Sequence, residues 1–237
     1  MRPGAHVPQD RWLWDGLMKQ RALVATAEAA GEVQCGWKAG FGAPTARDRF
    51  GLAGPLIGAL LDRTRLDPGA TVAIGGWQNA RAEAELAVLI GEDVPGDVTP
   101  ARAMASVVAL APAIELVDIH PTPESPSEAL SVNLFHRHWI TGGFTDPPRS
   151  MDLSALTAEV SAMGTDLEPV HDVEALTGRA AEVLAEVARI GAQQGRGLLR
   201  GDVVILGASV PPAAVGPGGT FRFTLSGHDP VEVGFID

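Results

Sequence analysis

Between Arg81 and Ile90 the chain reads Arg-Ala-Glu-Ala-Glu-Leu-Ala-Val-Leu-Ile, with every even position apolar and positions 81, 83 and 85 charged. That period of two is the signature of a strand with one dry face. A second run, Val107 to Val117, is apolar almost throughout until Glu115 interrupts it. Strands of this kind need a cover on the apolar side, so the chain must build a well-covered sheet rather than a helical bundle.

In a strand, Glu83 and Glu85 project from one face roughly 6.5–7 Å apart, close enough to converge on one ion. The plain alternative is a solvated strand face with Arg81 supplying part of the countercharge. Against it, Glu is depleted in strands, two bare carboxylates on one face repel, and Glu115 is costly to bury without a partner. Three carboxylates from two strands suit a hard cation, Mg²⁺ or Mn²⁺, with waters and substrate oxygens completing the shell. No His or Cys accompanies them at zinc spacing. Such an ion can chelate a 2-keto acid, and it reverses the local sign of a chain whose formal net charge is −11. That charge works against nucleic acid and anionic lipid as partners.

The remaining pattern fits one domain of 237 residues. Apolar residues Trp14, Leu17, Met18, Ala22 and Ala25 predict an amphipathic helix over Asp10 to Ala30, with Gly31 at its C-terminal end. Val33 to Ala39 reads as a strand, and the Gly/Pro-rich stretch from 40 to 55 as a looped connection. Leu56 to Leu61 reads as a strand or turn. Asp172 or Thr177 is a candidate cap for a helix running to about Gln194, and strand-like pieces follow at Asp202 to Leu206, Thr220 to Leu225 and Val231 to Ile236. No apolar run approaches the ~20 residues of a membrane span, and the N-terminus, with Arg2 and Lys19 but no apolar segment between them, does not read as a secretory leader. Pro147 to Ser150 is too short to argue for a domain boundary. The single cysteine, Cys35, excludes an internal disulfide and suits a reducing cytoplasm, and its neighbours Gln34 and Gly36 supply no base to activate it.

The order Gly36-Trp37-Lys38-Ala39-Gly40, Gly58-Ala59-Leu60-Leu61-Asp62, Arg81-Ala82-Glu83-Ala84-Glu85 and Pro112-Ala113-Ile114-Glu115-Leu116-Val117-Asp118 resembles the successive motifs of the 2-keto-4-pentenoate hydratase branch of the fumarylacetoacetate hydrolase superfamily. The resemblance runs from about Gln20 to Asp118 and returns more weakly at Gly201 to Gly207. It implies an α+β, predominantly β fold: a mixed, twisted β-roll of the fumarylacetoacetate hydrolase C-terminal domain type with outer helices. A short N-terminal helical segment, residues 1–35, would precede a catalytic domain over 36–237. It further implies a homo-oligomer, Mg²⁺ or Mn²⁺ as cofactor, and Glu83, Glu85 and Glu115 as metal ligands. Lys38 and Asp62 would be the catalytic groups, with Arg81, Asn133, His136 and Ser209 contacting substrate. Taken alone, Lys38 reads equally as a surface lysine and Asp62 as a turn residue. The implied reaction is hydration of a small 2-hydroxydienoate or 2-keto-enoic acid through a metal-stabilised enolate. Oxalocrotonate decarboxylation and acylpyruvate C–C hydrolysis use the same stabilisation, and a non-catalytic keto-acid-binding protein is the alternative of another class.

The chain departs from the pattern where the family has Ala-Asp-Asn-Ala-Ser: Asn133 is kept, but Val132 replaces the acid and Leu134, Phe135, His136, His138 and Trp139 follow. Strand alternation predicts Leu134, His136 and His138 on one face, facing the cavity and favouring a substrate with one carboxylate over one with two. An HxH pair can bind a transition metal, though pocket lining or packing fits these two better. The hydroxyl expected beside Gly207 is replaced at Leu206 and Ala208, leaving Ser209, and an Arg common after the Glu115 strand is His120.

Overall fold

A computed structural model describes residues 9–147 and 152–237. Residues 1–8, which include Arg2, and most of Pro147 to Ser150 lie outside the described residues. Thirteen strands are present among them: β1 (Gln34–Gly40), β2 (Leu56–Leu61), β3 (Arg65–Leu66), β4 (Thr71–Ala73), β5 (Ala80–Ile90), β6 (Val107–Asp118), β7 (His136–Thr141), β8 (Ala158–Ala162), β9 (Thr165–Asp166), β10 (Val203–Ala208), β11 (Ala213–Ala214), β12 (Thr220–Leu225) and β13 (Val231–Ile236). One sheet runs β2-β1-β10-β5-β6-β7-β3, with β11 also on β5; the other runs β4-β13-β12-β8-β9. Pairing is mostly antiparallel, with β1 on β10, β3 on β7 and β4 on β13 parallel. The expected sheet-dominated α+β fold is borne out.

Alternation gives the large sheet two unlike faces. On the outer face Trp37, Ala82, Ala84, Leu86, Val88, Ile114 and Val204 join one continuous core with Phe221, Phe223 and Phe235 of the second sheet and with Val183, Leu184 and Val187 of a covering helix. On the inner face the register aligns Lys38 with Ile205, Ile205 with Ala87, Ala87 with Ala111 and Glu83 with Glu115. One end of that inner face is filled by a small separate cluster containing Leu60, Ala87, Ala111, Ala113, Trp139, Val203 and Ile205. The other end carries the charged side chains. Most of the apolar burial that stabilises the fold therefore lies outside the curl of the sheet, leaving the inside free for chemistry.

Among the described residues five helices surround the sheets: α1 (Gln9–Ala29), α2 (Pro44–Phe50), α3 (Pro100–Met104), α4 (Pro126–Ser131) and α5 (Ala180–Gln193). None is long and apolar enough to cross a membrane. α1 ends where expected, at Gly31 with φ +94°, but presents a different face from the expected one. Leu17, Val24 and Ala27 point inward with Gln20, while Trp14 and Met18 are 48% and 50% exposed. The reason is Gln20: its Nε2 donates to Ile57 O at 3.1 Å and Asn133 Oδ1 at 3.3 Å, and its Oε1 accepts from Gln194 Nε2 at 2.8 Å. An amide so satisfied can be buried at little cost, which hydropathy does not register. Gly16 lets α1 approach α4, because a Cβ there would sit 2.8 Å from Ser127 Cα. The 40–55 stretch is not wholly looped, since it contains α2. α5 starts at Ala180 rather than at Asp172 or Thr177, its first N–H capped by Glu174 Oε1 at 2.6 Å. The freed segment around Leu176 and Thr177 instead folds over the inner face.

Candidate metal centre

β5 and β6 pair so that Glu83 stands directly opposite Glu115, and Glu85 lies two residues along on the same face. Ligand oxygens of these three glutamates all lie within 4.8 Å of one another. Lys38 comes from β1, which on a flat sheet would be three strand spacings from β6, roughly 14 Å away. Its Nζ nevertheless donates to Glu115 Oε1, because the sheet curls until the two strands face each other. His136 Nδ1 lies 2.7 Å from the same oxygen. Glu85 Oε2 accepts from the Gly207 N–H at 2.7 Å.

Each of two buried carboxylates thus has one oxygen gripped by the surrounding protein and one that is not: Glu85 Oε1 and Glu115 Oε2 have no hydrogen-bond partner outside the three glutamates. Bare carboxylate oxygens in a dry interior are costly. Three carboxylates also face a single paired ammonium. This donor set, all oxygen and net anionic, fits a hard divalent cation.

Titration behaviour reports the same crowding. Burial, and then repulsion from Glu115, pushes Glu83 up to about 7 despite Lys38, even though Glu83 keeps some contact with the cavity. Burial raises Glu85 well above the usual carboxylate range, with Glu115 and Glu83 adding to the shift. Burial also opposes ionisation of Glu115, but Lys38 and His136 overcome it and hold that carboxyl below its ordinary value. Glu115 is thus the most readily ionised of the three, while burial favours the neutral forms of Glu83 and Glu85 when no cation is present.

Beside the carboxylates lies a cavity of about 250 Å³. Lys38 and Glu83 line one part of it, and Phe41, Val117, Leu134, Phe135, Leu176 and Pro212 make most of its walls, with Thr45 and Thr177 as the hydroxyls. Among the described lining residues Lys38 is the one cation.

Several expected site residues stand elsewhere. Asp62 is exposed at the end of β2, where its Oδ1 accepts from the N–H groups of Val33 and Arg63 at 3.0 and 2.9 Å. It is a turn residue outside the cavity. Asn133 uses its amide on the backbone of β2, accepting from Ala59 N at 2.8 Å and donating to Ala59 O at 2.9 Å, and it is not among the residues lining the cavity. Arg81 shares the Glu83 face but lies outside the cavity lining, its Nε donating to Asn79 Oδ1 at 3.1 Å. Ser209 is buried one residue beyond the lining Ala208, with its Oγ unpartnered. Val132 is 46% exposed and points to the surface.

The two histidines do not share a face. Residues 133–135 form a tight turn with positive φ (52°, 57° and 63°), and β7 begins only at His136. The β6–β7 register then jumps from Leu116 opposite His138 to Val117 opposite His136, so Arg137 is a bulge. His136 turns to Glu115, while His138 stacks on Trp77 with ring centroids 6.2 Å apart. Leu134 does line the cavity.

Gly207 and Thr177 are site elements that strand and helix patterns alone do not reveal. Gly207 has φ +102°, and a Cβ on it would lie 3.0 Å from Thr177 Oγ1. A glycine inside a strand pattern marks a bulge or a close approach, and here it marks both.

The fumarylacetoacetate (FAA) hydrolase C-terminal family matches residues 45–234. A 4-oxalocrotonate decarboxylase from Pseudomonas sp is 29% identical over 205 residues, covering 86% of this chain and 79% of the relative. A 2-keto-4-pentenoate hydratase from Paraburkholderia xenovorans is 25% identical over 205 residues, covering 84% and 75%. Among solved structures, 4-oxalocrotonate decarboxylase from Pseudomonas putida G7, complexed with magnesium and adipate, superposes with a TM-score of 0.86 at 22% identity, covering 94% of this chain and 86% of that one, which shows a shared fold.

Proposed function

The chain belongs to the fumarylacetoacetate hydrolase C-terminal family, and on that premise we propose that it is a Mg²⁺- or Mn²⁺-dependent lyase that hydrates a small 2-hydroxydienoate or its 2-keto-enoic tautomer. The observation that carries this reading is the pair of bare oxygens on Glu85 and Glu115, next to Lys38, beside an otherwise apolar cavity. Glu83, Glu85 and Glu115 would hold the ion, which would supply positive charge for the carboxylate and enolate oxygens of a 2-keto acid. Lys38 Nζ carries the proton nearest the reacting end of such a substrate. Leu134, Phe135, Val117 and Leu176 orient the tail and keep water from it.

Decarboxylation is the second reading. Among the described lining residues no carboxylate other than Glu83 is available to orient an attacking water. Loss of CO₂ needs no such water: the C–C electron pair passes to the enolate, and a proton then closes the carbon. The protein is further inferred to act in the cytoplasm without nucleic acid or membrane partners, a reading supported by its net charge of −11 and single cysteine, and as a homo-oligomer, a reading that rests on the family resemblance alone.

The test is incubation with Mg²⁺ and a panel of 2-hydroxydienoates, oxalocrotonates and acylpyruvates, following loss of dienol or diketone absorbance and assaying CO₂. A hydroxy-keto acid product supports hydration and CO₂ the second reading; inertness to the whole panel with intact metal binding makes the protein a keto-acid binder instead. With no cation for the tail, a second carboxylate would be buried unpaired, which costs several kcal/mol. Under the hydration reading a monocarboxylic substrate is therefore expected to exceed its dicarboxylic homologue in kcat/KM by about 10-fold or more, whereas decarboxylation requires the dicarboxylate. The reverse preference would remove the apolar wall from specificity.

Metal binding is expected to release protons. Ligands must be ionised, yet Glu83 stays protonated below about 7 without a cation and Glu85 is raised further. Mg²⁺ affinity should accordingly rise as pH increases from 5.5 through 7. Calorimetric heats at pH 6 should depend on buffer ionisation enthalpy, and heats identical in all buffers would contradict the shared protons.

A further inference from the structure

We propose that His136, backed by Thr64, is a positioning residue that locks the Glu115 carboxylate so that Oε2 alone is presented to the cation. The proposal rests on the metal-dependent reading above and adds two residues to it. His136 has a side chain 3% exposed, borders a separate cavity with Val132 and Arg137 rather than the one beside the carboxylates, and is not among the ligand atoms that cluster within 4.8 Å. It therefore acts through Glu115 rather than on substrate or ion.

Both ring nitrogens are constrained. Nδ1 lies 2.7 Å from Glu115 Oε1, and Nε2 lies 3.0 Å from Thr64 Oγ1. Thr64 Oγ1 also lies 2.8 Å from Leu61 O, so whether its single proton goes to that carbonyl or to Nε2, the imidazole is held beside the backbone of β2. Lys38 and His136 thus meet on one oxygen of Glu115 and leave the other bare. Without the second contact the carboxylate can swing about its last torsion and turn either oxygen to the ammonium. Partners of this kind around metal ligands typically contribute 10–100-fold to metal affinity.

The backbone invests in this placement. Asn133, Leu134 and Phe135 are successive non-glycine residues with positive φ, each an unfavourable conformation that persists only where its surroundings enforce it. The Asn133 clamp on Ala59 supplies that enforcement. The turn and the Arg137 bulge together bring His136 to the Glu115 face. A regular strand would have left it on the side of His138.

The test is titration of the full-length protein with Mn²⁺ followed by electron paramagnetic resonance, with circular dichroism confirming the fold. His136→Leu, close in volume, should raise the Mn²⁺ Kd by ~10–100-fold. His136→Asn, whose amide nitrogen reaches the position of Nδ1, should recover most of that loss, which a role in packing alone would not allow. Thr64→Val should raise Kd by a smaller factor and add nothing in the His136→Leu background. Wild-type Kd in His136→Leu, or His136→Asn as weak as His136→Leu, overturns the proposal. If His136→Leu does not fold, Thr64→Val decides, an unchanged Kd counting against the proposal. A wild-type protein that binds no Mn²⁺ overturns the functional reading as well, whereas indifferent variants in a protein that binds Mn²⁺ sink the positioning role alone.

Discussion

Glu115→Gln is expected to abolish turnover, weaken Mg²⁺ or Mn²⁺ binding by more than about 100-fold, and destabilise the metal-free protein. The stability effect follows from Lys38, which is 2% exposed and ion-paired to Glu115. Removing one partner of a buried pair leaves an uncompensated charge and costs about 3–5 kcal/mol. At about 2–4 °C per kcal/mol for a chain of this size, Tm should fall by roughly 6–20 °C. Glu85→Gln supplies the contrast. Its amide oxygen can still accept from the Gly207 N–H, and a neutral group replaces a carboxyl whose burial already favours the neutral form. Metal binding should be lost there too, with Tm unchanged or raised. Calorimetry of the two variants checks the pair; equal Tm losses would show that Lys38 does not depend on Glu115.

Lys38→Met is expected to lower turnover by ~10²–10⁴ while leaving metal affinity nearly intact, as for loss of a group that moves a proton or stabilises developing charge. Met fills the space of the lysine stem, so the substitution removes charge rather than volume. His136 still contacts Glu115, and loss of the ammonium's repulsion of the cation offsets any loosening of that ligand. The metal-free variant should be less stable than wild type, since the buried Glu115 carboxylate then loses its ammonium partner, and Mg²⁺ should restore much of the difference. Steady-state kinetics beside Mn²⁺ titration tests this, and unchanged turnover would remove Lys38 from the mechanism.

Most of the sheet was legible because alternation is a local property. β2, β12 and β13 fall on the expected residues, and the carboxylates of β5 meet the lone acid of β6. What escaped depends on partners distant in sequence. The buried face of α1 is set by Gln20, whose suitability depends on Ile57, Asn133 and Gln194. Asp62 sits in a family-like motif, yet the end of β2 directs it to backbone N–H groups at the surface. His136 and His138 satisfy a strand period that one bulge cancels. The short helices α3 and α4 did leave a local signal, Thr99-Pro100 and Ser125-Pro126, a capping side chain followed by proline at the first helical position. With five and six helical residues, neither shows a period.

The separation of the main core from the inner face bears on how readily this protein can be altered. Phe221, Val204 and Leu184 anchor the architecture from outside the curl, and Leu134 and Val117 belong to that same core while also lining the cavity, whereas Leu176 and Thr177 line it without being part of the core. Thr177 and Leu176 come from a loop, so exchanges there disturb no ladder of hydrogen bonds. Directed evolution of tail length or polarity can therefore draw on these loop positions first, with a folding reserve that the changes hardly touch. Retraining the enzyme for a new acid becomes a matter of re-upholstering one wall rather than rebuilding the frame.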